Sequence, residues 1–116
     1  MTMRELYGQI GGDYQDVVRR FGSEMITKRF VIKFLQDNSF EMLGNAVHHC
    51  DIKGAFQAAH TLKGVCLNLG FGDLYQVSAD VTEKLREGDF DGGKQLYNVV
   101  EEQYVKLIHL IQGLDD

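Results

Sequence analysis

The amino-acid sequence predicts an all-α fold, an antiparallel four-helix bundle with short additional helices at the N-terminus, and three observations predict it. The 116 residues include no proline, so glycine, present 13 times, is left to do nearly all the breaking. Apolar residues recur at three- and four-residue steps in one window after another, which gathers them on one face of a helix. No segment alternates apolar and polar residues with the period of two that marks a half-buried strand. The chain is long enough to bury one core without a metal or a disulfide, and its apolar fraction of 44% is ordinary for such a core. It therefore reads as one domain over residues 1–116, with residues 1–22 a helical extension and about 23–116 the bundle.

In order along the chain, Thr2 to Ile10 can form a short helix on Leu6 and Ile10, stopped by Gly11-Gly12. Asp13 can cap Tyr14 to Phe21, whose Val17, Val18 and Phe21 are apolar, and Gly22 ends it. A glycine pair beside a tyrosine could suggest a nucleotide loop, but no Gly-Lys-Ser/Thr follows and no strand precedes, which excludes it. Ser23 caps a helix from Glu24 to Gln36, with Ile26, Phe30 and Phe34 as its expected inward stripe. Asp37-Asn38-Ser39 makes a turn, and Ser39 is expected to cap Phe40 to about Cys50, with Phe40, Leu43 and Val47 inward. Asp51 opens the next helix, and Gly70-Phe71-Gly72-Asp73 turns the chain, with Asp73 and Gln76 at capping-box spacing. Leu74, Val77, Val81 and Leu85 stripe the helix after it, which Gly88 ends. The acidic, glycine-rich Glu87 to Gly93 connects to a last helix carrying Leu96, Val99, Val100, Leu107, Ile111 and Leu114. There Glu102 stands four residues before Lys106, the spacing of a minor surface ion pair.

The helix opened by Asp51 is the informative one. With about 100° per residue, Ala55, Ala58, Leu62, Val65, Cys66 and Leu69 gather opposite His60, and Lys53, Gln57, Lys63, Gly64 and Asn68 fall on the solvent side with it. Phe56 and Leu67, four residues before and seven after, break this order by sharing the face of the histidine. Gly64 in a helix interior costs about 1 kcal/mol relative to alanine, on a face where packing does not demand it. Large apolar side chains left in water forgo about 1.5–3 kcal/mol each, so the pair reads either as a docking surface or as a site covered by the N-terminal segment. Thr61 and Asn68 fit a solvated role as well as a contact role.

The pattern His60-x-x-Lys63-Gly64, followed six residues later by Gly70, resembles the histidine-containing phosphotransfer (HPt) domain of bacterial phosphorelays. The run Leu6 to Tyr14 also resembles the N-terminal extension of free-standing bacterial HPt proteins. The resemblance implies a helical bundle in which His60 is the phosphorylated residue, Lys63 stabilises phosphoryl charge, and Phe56, Gln57, Gly64, Leu67 and Asn68 meet the partner. That partner would be a response-regulator receiver domain or a hybrid histidine kinase; the receiver would supply the aspartate and Mg²⁺, and this chain no cofactor of its own. It would be a monomeric phosphocarrier, not an enzyme with its own kinase activity.

The residues themselves agree with that chemistry. An exposed imidazole is nucleophilic in its neutral form near neutral pH, and no carboxylate stands three or four residues from His60 to orient it as in a hydrolytic triad. Phosphoryl transfer depends mainly on positioning and charge stabilisation, which a surface can provide. In a histidine kinase the phosphorylated histidine is usually followed by an acidic residue and a proline; here Thr61 follows, and no ATP-binding glycine motif exists. An adaptor that keeps the HPt fold for binding alone is the remaining alternative.

Charge and composition exclude other classes. A formal net charge of −5 opposes nucleic acid and acidic membrane surfaces alike. No apolar run approaches the roughly 18 residues of a spanning helix, and no signal peptide is legible, so a cytoplasmic protein is expected. Cys50 and Cys66 lie in none of the paired spacings of zinc or redox motifs and are expected to be reduced, buried core thiols. Adjacent His48 and His49 point about 100° apart and cannot easily share a tetrahedral ion, so no metal site is expected. His109 sits among apolar neighbours of the last helix as a half-buried or surface side chain.

Overall fold

A computed structural model describes residues 1–115, and every regular element among them is helical. The elements are α1 (Met3–Gln9), α2 (Tyr14–Phe21), α3 (Glu24–Lys33), α4 (Ser39–His48), α5 (Ile52–Leu69), α6 (Gly72–Arg86) and α7 (Phe90–Gln112), with one 3₁₀ turn at Phe34–Gln36 after α3.

Local sequence sets most of the starts. The hydroxyl of Thr2 accepts from the Glu5 amide while the Glu5 carboxylate accepts from the Thr2 amide, a reciprocal box at the head of α1. Asp13, Ser23, Asp51 and Asp89 each accept from the amide three residues on, at 3.1, 3.1, 2.9 and 2.8 Å. Two expected caps are different. The Asp37 carboxylate, not Ser39, serves the start of α4, accepting from the Ser39 amide at 3.0 Å and from its hydroxyl, so Ser39 is buried inside the first turn. At α6 the cap position is Phe71 with no side-chain bond; the Asp73 amide instead donates to the Ile10 carbonyl at 3.0 Å, so the chain before α2 satisfies it.

α5 packs on both α4 and α6, α6 packs on α7, and α7 returns to touch α4. The core runs through this group, with Leu43, Ala59, Leu62, Cys66, Val81, Val100 and Leu107 almost wholly buried. Phe40 lies half-buried, stacked on Tyr104 with ring centroids 4.0 Å apart.

α3 is rotated from its expected face. Thr27, Val31 and Phe34 are buried, whereas Ile26 and Phe30 remain 39% and 43% exposed. The turn of about 100° per residue makes the sets Ile26/Phe30 and Thr27/Val31 neighbours on the wheel, and docking on α5 and α7 selects the second. Thr27 is accommodated because its hydroxyl donates to the Ser23 carbonyl at 2.7 Å. Two further expectations are corrected. Cys50 is exposed, because it takes a left-handed φ of 55° just beyond α4, and only Cys66 is a core thiol, where burial pushes its pKa up. Glu102 and Lys106 form no ion pair; the Lys106 ammonium donates to the Gln9 carbonyl at 3.1 Å and ties α7 to the end of α1.

The N-terminal helices close over one end of α5. The Tyr7 hydroxyl donates to the Leu69 carbonyl at 2.7 Å in a buried position, and the Arg20 guanidinium donates to the Asn68 carbonyl at 3.0 Å. These are carbonyls that the end of a helix leaves without intrahelical partners. Gly72 allows the close approach, since a Cβ there would strike the Gly11 backbone.

Candidate functional site

α5 is terminated at both ends by its own sequence. The Asp51 carboxylate caps its start, and Gly70, at φ 72°, closes it in the left-handed conformation that glycine adopts without a steric penalty. The Phe71 amide reaches the Cys66 carbonyl at 2.9 Å and the Gly70 amide the Leu67 carbonyl at 3.3 Å, a Schellman closure with the Phe71 side chain buried beneath. Ala55, Ala58, Ala59, Leu62, Cys66 and Leu69 are buried, so the helix cannot turn about its axis, and His60 faces solvent. The imidazole makes no hydrogen bond to another described residue, and its ring nitrogens are open to an incoming group.

Around His60 the sequence-predicted residues fall as follows. Gln57, Gly64 and Asn68 are exposed; Gln57 supplies the carbonyl that accepts the Thr61 hydroxyl at 3.0 Å, leaving Thr61 bonded to its own helix. Gly64 lies one turn after His60, about 6 Å along the axis, and a Cβ placed on it would meet nothing within 4 Å. Lys63 is half-buried and makes no ion pair among the described residues. Leu67 is 61% exposed, and neither the N-terminal helices nor any other described segment covers it.

Phe56 departs from the expectation of full exposure: it is half-buried and packs against the core. Its ring lies parallel to the His60 imidazole, with an interplanar angle of 9° and centroids 6.0 Å apart. Arg86, at the end of α6, places its guanidinium over the same ring, 5.4 Å from the centroid, and pairs with Glu83 at 3.4 Å. Sequence reading missed Arg86. It stands 26 residues beyond His60 on another helix, and only the packing of α6 on α5 brings the two together.

The other histidines lie apart from this arrangement. His48, His49 and His109 are exposed, and the Nδ1 of His49 is within 2.7 Å of the Asn45 carbonyl. Among the described residues no group of three or more His, Cys, Asp or Glu side chains is placed to share a metal ion, and no helix is long and apolar enough to cross a membrane.

The arrangement presents one imidazole on the solvent face of a helix, a lysine one turn away, and open space where a side chain would otherwise stand. Such a surface can receive a phosphoryl group and can admit a second protein close to it. Comparison with known proteins agrees with this chemistry. No curated protein matches the chain, and no solved structure does. A family model does match, that of the Hpt domain, over residues 32–115, which contain α4 to α7 and His60. The match covers most of the chain, which belongs to the Hpt domain family of histidine phosphotransfer modules, helical bundles of two-component phosphorelays.

Proposed function

We propose that this chain is a phosphorelay intermediate that carries a phosphoryl group on His60 and exchanges it with the aspartate of a response-regulator receiver domain. The bundle that holds His60 is read as four antiparallel helices, α4 to α7, because each connection spans only two or three residues and must reverse the chain. In the loading step a neutral ring nitrogen of His60 attacks the phosphorus of an aspartyl phosphate. A phosphorus–nitrogen bond forms as the phosphorus–oxygen bond breaks, and the carboxylate leaves on the partner. The proton on the other ring nitrogen can pass to water, since the ring is exposed, and the reverse step returns the group. Lys63 offsets part of the phosphoryl charge, and the receiver supplies Mg²⁺. The protein is read as a phosphocarrier rather than a kinase, as the family to which it belongs supports, and is expected in the cytoplasm and as a monomer.

The observation that carries this reading is the conjunction of an exposed His60 with the empty space at Gly64 on one helix face. Incubation with phosphorylated receiver domains tests it. Acid-labile, alkali-stable phosphate is expected on the wild-type chain and none on His60→Gln; labelling of that variant at the wild-type level would overturn the assignment.

A further inference from the structure

Exposed apolar side chains and cations are both concentrated on α3. Five of the ten large apolar side chains that stand exposed lie between Met25 and Leu35, and Met25 is the most open of them at 72%. From Tyr14 to Gln36 the chain carries five cations, Arg19, Arg20, Lys28, Arg29 and Lys33, against the carboxylates of Asp16 and Glu24, a net +3 within a chain whose net charge is −5. The average conceals a local reversal of sign. At physiological salt a charge has little reach beyond about 8 Å, so a surface that meets α3 feels these cations rather than the acidic remainder of the molecule.

Burial of Thr27, Val31 and Phe34 fixes which residues of this segment stand furthest out. Opposite that stripe the outermost ridge is Met25, Arg29 and Ile32, at i, i+4 and i+7 and about 10.5 Å long, with Lys28 and Lys33 on its two flanks. It points away from α5, the helix that carries His60, because the buried stripe packs against α5 and α7. Arg29 and Lys33 are exposed and make no ion pair among the described residues, while the ammonium of Lys28 donates to the Asp115 carbonyl. The neighbouring carboxylates are engaged or turned aside. Asp13 caps α2, Asp16 pairs with Arg19 and Arg20, and Asp37 holds the Ser39 amide and hydroxyl. Glu24 stands about 100° off the ridge, beside the Tyr14 phenol.

The shape and charge of the ridge select its occupant. Anchors between proteins sit in well-packed pockets, whereas this ridge is convex: the groove beside it, walled by Phe30 and Lys33, takes in none of Met25, Arg29 and Ile32. The same ridge of a second copy would bring cation against cation. Apolar side chains along the outer line of a helix, with cations on both flanks, instead suit the plane of an anionic bilayer surface. We propose that α3 is a peripheral contact for anionic phospholipid, in which Met25 and Ile32 enter the headgroup layer and Arg29 and Lys33 meet lipid phosphates. So few groups make a weak, reversible contact that lies on the bilayer. Met25 and Arg29 precede residue 32, where the match to the Hpt domain family begins, and the inference is independent of the phosphotransfer reading.

Co-sedimentation of the full chain with vesicles tests this, using phosphatidylcholine alone and phosphatidylcholine with a third phosphatidylglycerol. Partitioning onto the mixed vesicles is expected to exceed that onto phosphatidylcholine about tenfold or more at low salt, and to fall steeply toward about 0.5 M salt. Arg29→Gln and Met25→Gln, both at exposed positions, should each lower the partition coefficient about fivefold at an unchanged melting temperature. Lys94→Gln, an exposed cation on α7, should leave it at the wild-type value, as should His60→Gln. The chain has no tryptophan, so Met25→Trp supplies a single probe whose emission is expected to shift to the blue on the mixed vesicles only. Equal or absent binding to the two vesicle types, or wild-type binding by both Arg29→Gln and Met25→Gln, would overturn the proposal. Binding without the blue shift would overturn the entry of Met25 into the headgroup layer. Self-association without lipid that Met25→Gln abolishes would give the ridge to a second copy instead.

Discussion

The ring of Phe56 lies parallel to the imidazole of His60 one turn further along α5, 9° apart in plane and 6.0 Å between centroids, and Arg86 from α6 rests over the same aromatic ring. A cation over an aromatic face is attracted by about 0.5–1 kcal/mol at an exposed site. That is small for stability but enough to bias the orientation of a side chain beside a reacting group, where about 1 Å of misplacement is costly.

Arg86→Ala should therefore lower the maximal rate of phosphoryl transfer several-fold and leave the melting temperature nearly unchanged. The His60 ring protons, shielded by the neighbouring aromatic ring, should move in the proton spectrum as Phe56 gains freedom. Unaltered transfer together with an unaltered His60 signal would mean that Arg86 merely covers Phe56. Alanine at Phe56 itself should cost stability as well as receiver binding, because the residue is half-buried; Phe56→Leu separates the two effects better.

At Gly64, stability and function should move in opposite directions. A side chain there meets nothing within 4 Å in the isolated protein, and glutamine is a better helix former than glycine by about 0.5–1 kcal/mol. The same side chain would project toward an incoming receiver, whose aspartate must come within about 3–3.5 Å of the imidazole. Denaturant melts and receiver-dependent transfer on Gly64→Gln should show a more stable and poorer phosphoryl acceptor. Undiminished transfer would remove Gly64 from the docking surface.

The hydroxyl of Ser78 on α6 is fully buried with no hydrogen-bond partner among the described residues. An unmade bond of this kind costs about 1–3 kcal/mol, and alanine is also the better helix former. Ser78→Ala is expected to stabilise the protein by about 0.5–1.5 kcal/mol, or roughly 2–6 °C in Tm. A lower Tm would show that the hydroxyl is bonded in solution.

Tyr7 links stability to pH. Burial pushes its phenol well above the ordinary 10.0, and the nearby Arg20 charge offsets that only in part. Above pH 10.0 the unfolded chain loses this proton while the folded chain keeps it, so stability is intact below that pH and falls as pH rises past it. Tyr7→Phe should flatten the alkaline fall. It should also lower stability near neutral pH by about 1–2 kcal/mol, since the Leu69 carbonyl loses its buried partner. Urea midpoints at about pH 7 and about pH 10.5 measure both effects; equal alkaline slopes for the two proteins would exclude Tyr7 as the source.

The sequence by itself determined much of what depends on residues within a turn or two of one another, except where a distant group took the local partner's place, as the Ile10 carbonyl does at Asp73 and the Gln9 carbonyl at Lys106. Asp13, Ser23 and Asp51 cap their helices because a side-chain oxygen reaches the amide three residues on, and Gly70 closes α5 because a left-handed residue is needed there. The outward setting of His60, Gly64 and Leu67 was legible for the same reason: the helix period and the run of small apolar residues behind them leave α5 only one face to bury. Tertiary structure decided what local pattern leaves degenerate. α3 offered two adjacent sets about 100° apart, the wholly apolar Ile26/Phe30 and the mixed Thr27/Val31, and its docking against α5 and α7 turned the second inward, leaving Ile26 and Phe30 outside. The Tyr7 bond to Leu69 spans 62 residues, and Arg86 reaches Phe56 from another helix. Neither has a period or a spacing to betray it, because each arises only when separate helices pack, and the energy that selects it is apolar burial between elements rather than the preference of any one segment.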